Sequence, residues 1–470
     1  MSLHVTLLTI GLFFVNILAF VAMYVRSRKH CRIGKKRTYS FFHPYCNAGG
    51  GGERVLWTAI QTVHESYPDV AVVVYTGDTD ATPDEIIATA ERRFQVRLRG
   101  PVHFVYLQSR FFLEAKYYPV LTLLMQNLAS VVVGLEALLK FTPDVYLDTM
   151  GYAFTLPVFK LIGGCQTAAY VHYPTISTDM LCAVHSQQPG TTNREVIARS
   201  RILTGAKLMY YKAFAVVYGW IGCVFCDTTM VNSSWTQGHI WEIWGAPCHL
   251  LYPPCSVEEF CSLPSTADPA KEFRIVSLAQ FRPEKNHVAQ LAFLKVLQND
   301  LTREEFRKVK LVFIGSCRNQ EDIERVEDLK LHTDFLELTD NVEFLIDIKF
   351  SELKNEMARA TAAIHTMWNE HFGIAVVECL AAGLITVAHN SGGPRLDIIQ
   401  PGCGFTASTP EEYEKTFISI IRMTPTQRRE ITDAARRSMD RFTESKFKEN
   451  FRKILNAHIE ERQERIRRDD

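Results

Sequence analysis

Ala362-Ala363-Ile364-His365-Thr366-Met367-Trp368-Asn369-Glu370-His371-Phe372-Gly373-Ile374-Ala375-Val376-Val377-Glu378-Cys379-Leu380-Ala381-Ala382-Gly383-Leu384-Ile385-Thr386-Val387-Ala388 holds the pattern that decides the fold. Ala362 to Met367 and Leu384 to Ala388 are short, nearly uncharged runs suited to strands buried on both faces. Gly373 to Ala382 lies between them and has the composition of a buried helix, with Glu378 as its one charge. Strand, helix and strand so close together form a parallel βαβ unit.

The same alternation continues outward. Phe273 to Ala279, Lys310 to Gly315 and Val342 to Leu345 read as strands, and Asn286 to Leu297 as an amphipathic helix. Upstream, Tyr39 to His43, Val70 to Tyr75, Val102 to Leu107, Val145 to Leu147 and Ala168 to Val171 form a second series. Met230 to Ser233 reads as a further strand end, and Tyr252-Pro253-Pro254-Cys255 as an extended linker. With 470 residues the chain is too long for one core. The fold class expected is α/β, with two Rossmann-like domains and an N-terminal transmembrane helix. The divisions fall at 1–26 (N-terminal end and anchor), 38–256 (first domain, with a candidate membrane-embedded segment), 257–435 (second domain) and 436–470 (a charged helix returning to the first half).

The anchor is the run Val5 to Val25, followed by Arg26, Arg28, Lys29, Arg32, Lys35, Lys36 and Arg37. As a helix the run reaches about 31 Å, which matches a bilayer core. It lacks the positive n-region and the short apolar stretch of a cleaved signal peptide. The basic flank places the N-terminus in the lumen and the rest in the cytosol. Asn232-Ser233-Ser234 is then a glycosylation sequon on the wrong side. Ala213 to Cys226 is uncharged but, at fourteen residues, too short to span; it reads as a core helix or a membrane-embedded segment within 211–226. Met180 to Ser200 is polar and reads as a loop. Of the twelve cysteines only Cys223 and Cys226 are closely spaced; buried reduced thiols are expected there rather than zinc. The 52 basic and 52 acidic residues cancel, so nothing draws the protein to nucleic acid.

In doubly wound sheets ligands bind where strands end, and three such junctions are unusual. Gly49 to Gly52 precede a helix read from Glu53 to Glu65, so backbone N–H groups there can approach an anion. Without GxGxxG or a Walker lysine, this loop is neither a dinucleotide site nor a P-loop. Arg282-Pro283-Glu284-Lys285 puts two cations at the start of the next helix, a diphosphate clamp. Glu370 and Glu378 stand eight apart, flanking an apolar helix turn. Buried carboxylates need partners, and sugar hydroxyls are good ones.

An E-x7-E box ending in Ala-x-Gly, the Arg-Pro-Glu-Lys clamp and the glycine-rich first loop together resemble family-four retaining glycosyltransferases of GT-B fold. The resemblance implies that Arg282 and Lys285 hold the nucleotide diphosphate, that Glu370 contacts the transferred hexose, and that Glu378 contacts the ribose. Gly50, Gly51, Phe372, Gly373 and Gly392 join them in donor binding. Phe42 to Ala48, Tyr170-Val171-His172-Tyr173-Pro174, Met230 to Trp235 and Tyr252 to Cys255 resemble one branch of that family. Its members transfer mannose from GDP-mannose in α-1,2 linkage, adding the fourth and fifth mannoses of a dolichol-diphosphate-linked oligosaccharide on the cytosolic face of the endoplasmic reticulum membrane. Partners of the same pathway, other glycosyltransferases among them, are implied as well.

His172 in this reading hydrogen-bonds the hexose or positions the acceptor; the alternative is a core histidine. Asp78-Thr79-Asp80 has the form of a metal-binding D-x-D, but it follows a strand of the acceptor half, and cations already neutralise the phosphates. No metal or other cofactor is therefore expected. Glu370 belongs at the sugar hydroxyls, so front-side attack is preferred, with Arg282 and Lys285 stabilising the leaving diphosphate. A related transferase using a UDP-sugar and an inactive scaffold subunit remain as alternatives.

Overall fold

Strands alternate with helices along the chain and sort into two parallel sheets, each in its own compact unit. The computed structural model describes residues 16, 19–27, 33, 36–185, 201–264 and 267–469. The first unit runs to Asn232 and adds Thr236–Leu251 and the tail from Lys448; the second comprises Ser233–Trp235 and Tyr252–Phe447.

Unit 1 has strands β1 (Arg37–Phe42), β2 (Val70–Thr76), β3 (Val102–Tyr106), β4 (Val145–Asp148), β5 (Gln166–Val171), β6 (Thr228–Val231) and β7 (His249–Leu250). Their order is β3-β2-β1-β4-β5-β6-β7, so the chain reverses its direction of travel between β1 and β4. There Phe42 is level with Asp148. Both faces of these strands are covered, and Tyr146 stacks on Phe159 at 3.7 Å between ring centres.

Helix α1 (Gly51–Ser66) begins two residues before the expected Glu53, because Gly50 is its cap and the Glu53 carboxylate accepts the Gly50 N–H at 2.5 Å. An acidic side chain in the first turn also complements the helix dipole.

Two helices of unit 1 are long and apolar enough to cross a membrane, α2 (Thr122–Lys140) and most of α3 (Arg201–Phe225). The fourteen residues judged too short are therefore only the end of a 25-residue helix. It presents Met209, Val216 and Trp220 outward, while Phe214 and Tyr218 enter the core. The polar segment expected as a loop begins as helix (Thr178–His185), and residues 186–200 lie outside the described residues. Much of the anchor run also lies outside them, but residues 19–27 are helical and Val25 is buried in the unit 1 core.

Unit 2 has β8 (Phe273–Leu278), β9 (Val309–Gly315), β10 (Val342–Ile346), β11 (Ala362–His365), β12 (Ile385–His389) and β13 (Phe405–Ala407), ordered β10-β9-β8-β11-β12-β13. The reversal here lies between β8 and β11. Helices α4 (His287–Asp300) and α5 (Ile374–Ala381) follow those two strands. β7 and β13 were not anticipated; with two and three residues they carry too little pattern to be read.

The boundaries also move. Tyr252 already belongs to unit 2, where its hydroxyl donates to Asp397 at 2.9 Å, so unit 1 pauses at Leu251 rather than 256. The final helix α6 (Glu444–Asp469) returns to unit 1 from Lys448 rather than 436. Arg452 donates to Ser66 at 2.9 Å, and Tyr67 bonds Asn456.

Within unit 2, Arg274 is 4% exposed and donates to Glu272 at 2.7 Å, Glu343 at 2.6 Å and Glu356 at 2.9 Å. Arg274→Ala should strand three carboxylates of one cluster. These acids are partly exposed, so the expected cost is about 2–3 kcal/mol, below the range for a fully buried pair. Denaturant unfolding measures it, and a loss under 0.5 kcal/mol, the usual range of surface changes, would contradict the role.

Candidate active site

Where β8 ends, a single helical turn carries Pro283–Lys285 and hands over to α4 through Asn286, which adopts left-handed φ 52°. Thr366, just past β11, clamps that turn by donating to the carbonyls of Lys285 and Asn286 at 3.0 and 3.1 Å. Gln290 of α4 in turn donates to Thr366 at 2.9 Å. The backbone of Lys285 is thus fixed against the end of β11, across the reversal point of the sheet.

From there the Lys285 ammonium pairs with Oε2 of Glu370, and its Nζ lies 3.2 Å from Met367 Sδ. His365 Nε2 lies 3.1 Å from the same Oε2, and Tyr413 holds the His365 carbonyl at 2.8 Å. Burial alone would raise the Glu370 carboxyl, but the Lys285 charge and the His365 hydrogen bond outweigh it and hold it well below the usual carboxylate range. Glu370 is therefore an anion with one oxygen committed to protein donors. Among the described residues no hydrogen bond engages its Oε1. Burial, helped by His365 and Lys285, pushes the neighbouring His287 down to about 4, so it adds no cation.

The Glu370 backbone is fixed too. Its carbonyl accepts the Gly393 N–H at 2.8 Å, and Ser391 accepts the Asn369 N–H at 2.7 Å. Gly392 has φ +60°, and a Cβ there would stand 2.3 Å from the Glu370 carbonyl oxygen, so no side chain fits. Gly373, at φ +106°, caps α5, and Glu378 lies on that helix, half-buried. Phe372 packs inward against Tyr252 and Phe442 and is 3% exposed, so only its backbone can serve a donor. Arg282 is more open and pairs with Glu284 at 3.1 Å. Arg282, Lys285, Glu370, Phe372, Gly373, Glu378 and Gly392 thus all belong to unit 2.

Gly50, Gly51 and His172 belong to unit 1. A Cβ on Gly52 would lie 3.6 Å from His172 Nε2, so that histidine is beside the glycine-rich loop. The loop is supported from behind. His43 Nδ1 meets Thr149 Oγ1 at 2.8 Å and its Nε2 meets Glu53 at 3.3 Å. Burial would raise the Glu53 carboxyl; the His43 hydrogen bond and charge, with the Gly50 N–H, lower it instead.

His43, Glu53, Thr149, His365 and Thr366 were not assigned roles from the sequence. Their one signal was position, at or just past a strand end or in the first turn of α1.

Three motifs have structural accounts. Asp78 of the D-x-D accepts the Asn47 N–H at 2.9 Å and pairs with Arg110 at 2.5 Å, so it fastens a loop. Asn232 of the sequon is 6% exposed, donates to the His172 carbonyl at 2.9 Å and accepts from Thr236 at 2.7 Å. In the folded state that sequon is closed. Cys226 is half-buried, but Cys223 is exposed, contrary to the expectation of two buried thiols.

A cation pair at the reversal of one parallel sheet and a glycine loop at the reversal of another define a GT-B glycosyltransferase. The fold is similar to that of a sucrose-phosphate synthase from Thermosynechococcus elongatus, at TM-score 0.63 and 14% identity over 90% of this chain and 99% of that one. Residues 36–244 match the family described as ALG11 mannosyltransferase N-terminus, and residues 263–438 match glycosyl transferases group 1. A Xenopus tropicalis protein, GDP-Man:Man(3)GlcNAc(2)-PP-Dol alpha-1,2-mannosyltransferase, is 47% identical over 95% of this chain and 94% of its own length. The human protein of that name is 49% identical over 88% and 85%. The chain belongs to this family of alpha-1,2-mannosyltransferases.

Asp148 at the end of β4 supplies a pH prediction. It is 1% exposed; Oδ1 accepts the N–H groups of Met150 and Gly151 at 3.0 and 3.2 Å, and Oδ2 has no hydrogen-bond partner. Burial pushes its carboxyl up to about 7 against those donors. Between about pH 4 and 7 the folded state then holds a proton that the unfolded chain has lost, so stability falls as pH rises. The upper bound is about 4 kcal/mol over that window. Asp148→Asn keeps the Oδ1 acceptor and should flatten this part of the profile. Parallel wild-type and variant curves in denaturant titrations from pH 4 to 8 would contradict it.

Proposed function

We propose that the protein transfers mannose from GDP-mannose, in α-1,2 linkage and with retention, to a dolichol-diphosphate-linked oligosaccharide, adding its fourth and fifth mannoses. The observation that carries the site assignment is the half-committed Glu370. One carboxylate oxygen is taken by Lys285 and His365, which leaves the other to accept sugar hydroxyls. Lys285 uses two of its three donors within the protein, so one remains for a phosphate oxygen. Arg282, on the same turn, supplies the second cation.

In this reading the β-phosphate of the departing GDP takes the acceptor proton as the new bond forms on the same face. Lys285 and Arg282 stabilise the charge that grows there. Glu370 orients the hexose, and its negative charge favours the developing oxocarbenium. Glu378 holds the ribose, and Gly50, Gly51 and Gly392 bring backbone close to the donor. His172 positions the hexose or acceptor. The cations do the work a metal ion does elsewhere, so transfer should survive EDTA.

Glu370→Gln should lower kcat about a hundredfold or more while GDP still binds, since a transition-state contact is weakened. Glu378→Gln should raise KM for donor and Kd for GDP together, since a ribose contact is made in ground and transition states alike. The assay uses purified protein, GDP-mannose and a dolichol-type trimannosyl acceptor. Turnover with a UDP-sugar instead would overturn the donor assignment. Equal losses of stability and activity in both variants, with GDP affinity per folded molecule unchanged, would make the pair structural.

The reading extends to location. A single span near the N-terminus with both units in the cytosol keeps the site beside a lipid-linked acceptor at the endoplasmic reticulum membrane. Asn232 is buried in the folded state, so glycosylation tags fused to either terminus are the more suitable probe. A glycosylated C-terminal tag in microsomes would reverse the orientation.

A further inference from the structure

The edge of the unit 1 sheet where strands begin carries a second concentration of positive charge. A cavity of about 280 Å³ opens between the start of β2 and the residues leading into β3. Lys36, Arg99, His64 and His103 line it, with Ile33 and Pro101 among its apolar walls and no carboxylate among its lining residues. Its volume is about nine waters, more than a lone ion needs.

His64 is the informative member. It is 9% exposed, the Pro101 carbonyl lies in reach of its ring without a well-aligned hydrogen bond to either nitrogen, and burial holds its pKa below the usual imidazole value. Its ring is pressed against Gly100, where a Cβ would lie 3.0 Å away. A buried polar group without a good partner costs stability unless something satisfies it. Among the described residues Lys36 and Arg99 pair with no acid, and two such cations with two imidazoles suit a phosphate dianion.

This cavity is separate from the reaction site. β2 is seven residues long, so its start lies about 20 Å from the strand-end side where His43 and the glycine loop sit. The same edge receives the chain from the apolar N-terminal run: Arg26 donates to the carbonyls of Leu161 and Ile162, just before β5 begins, at 2.5 and 3.2 Å. Ile33 and Lys36, from the basic connection that follows, are themselves part of the cavity wall.

We infer that this edge holds a phosphate-binding site, occupied by the phosphomonoester head group of an anionic phospholipid of the phosphatidic acid kind. The phosphate chemistry stands on the cavity alone; the lipid source rests on the membrane span proposed above. A head group captured here would fix the tilt of unit 1 against the bilayer, at a point remote from the donor site.

The test uses the full chain in detergent, comparing its melting temperature with dihexanoyl phosphatidic acid, inorganic phosphate and dihexanoyl phosphatidylcholine. The comparison variant is the double charge reversal Lys36→Glu/Arg99→Glu, with His64→Asn as a milder change. Phosphatidic acid should stabilise the wild type, and its apparent affinity should fall at least tenfold in the double variant. If inorganic phosphate does the same with equal affinity, the anion site stands and its source is soluble phosphate. Equal stabilisation by phosphatidylcholine, the same shift in the double variant, or no shift with either phosphatidic acid or inorganic phosphate overturns the site. Mannosyl transfer in detergent should stay within twofold in the double variant. Failure of the wild type to transfer mannose would count against the proposed reaction and leave the phosphate measurements readable.

Discussion

Unit 2 is organised around one ion pair, Lys285 with Glu370. The two residues come from opposite sides of the reversal in strand order, one after β8 and the other after β11. Because the sheet is parallel, both strands deliver their following residues to the same edge. The reversal leaves a gap there that no crossover helix fills. A lysine and a glutamate meet in that gap and hold each other in place. The low pKa of the carboxyl follows from that meeting rather than from burial, which acts the other way.

Everything else near the pair serves its placement. Thr366 and Gln290 fix the turn that carries Lys285, and Tyr413 fixes the strand end that carries His365. Gly392 is bare because the Glu370 carbonyl occupies the space a side chain would need. None of these contacts touches a substrate in the proposed reaction. They act by limiting how far a cation and an anion can stray, which matters because misplacement of a catalytic group by an ångström is costly.

Unit 1 solves a similar problem differently. Its reversal, between β1 and β4, carries a neutral-to-acidic network of His43, Thr149 and Glu53 beneath a glycine loop. Asp148 sits beside it, unpaired at one oxygen and raised to about 7. The outward apolar faces of α2 and α3 belong to this same unit, and so does the N-terminal helical segment around Arg26. Outward apolar helix faces and the polar loop support thus belong to one unit.

Much of the fold was legible in the chain itself. Runs such as Val70–Tyr75 and Ala362–Met367 are apolar on both alternating faces, and only a parallel, doubly covered sheet buries both. The Glu370–Glu378 spacing and the Arg282/Lys285 turn were legible because helix and turn geometry are local. What the sequence could not decide was everything that depends on distant neighbours. Asp78 looks like half of a metal motif until Arg110, far along the chain, is found on it. Asn232 looks like an open sequon until the His172 carbonyl closes it. α3 looked short because Lys207 and Lys212 interrupt its apolar run, although the helix continues through both from Arg201 to Phe225. Local periodicity is set by the backbone and can be read along the chain; partners, burial and shifted pKa values arise only when segments far apart in sequence are brought together.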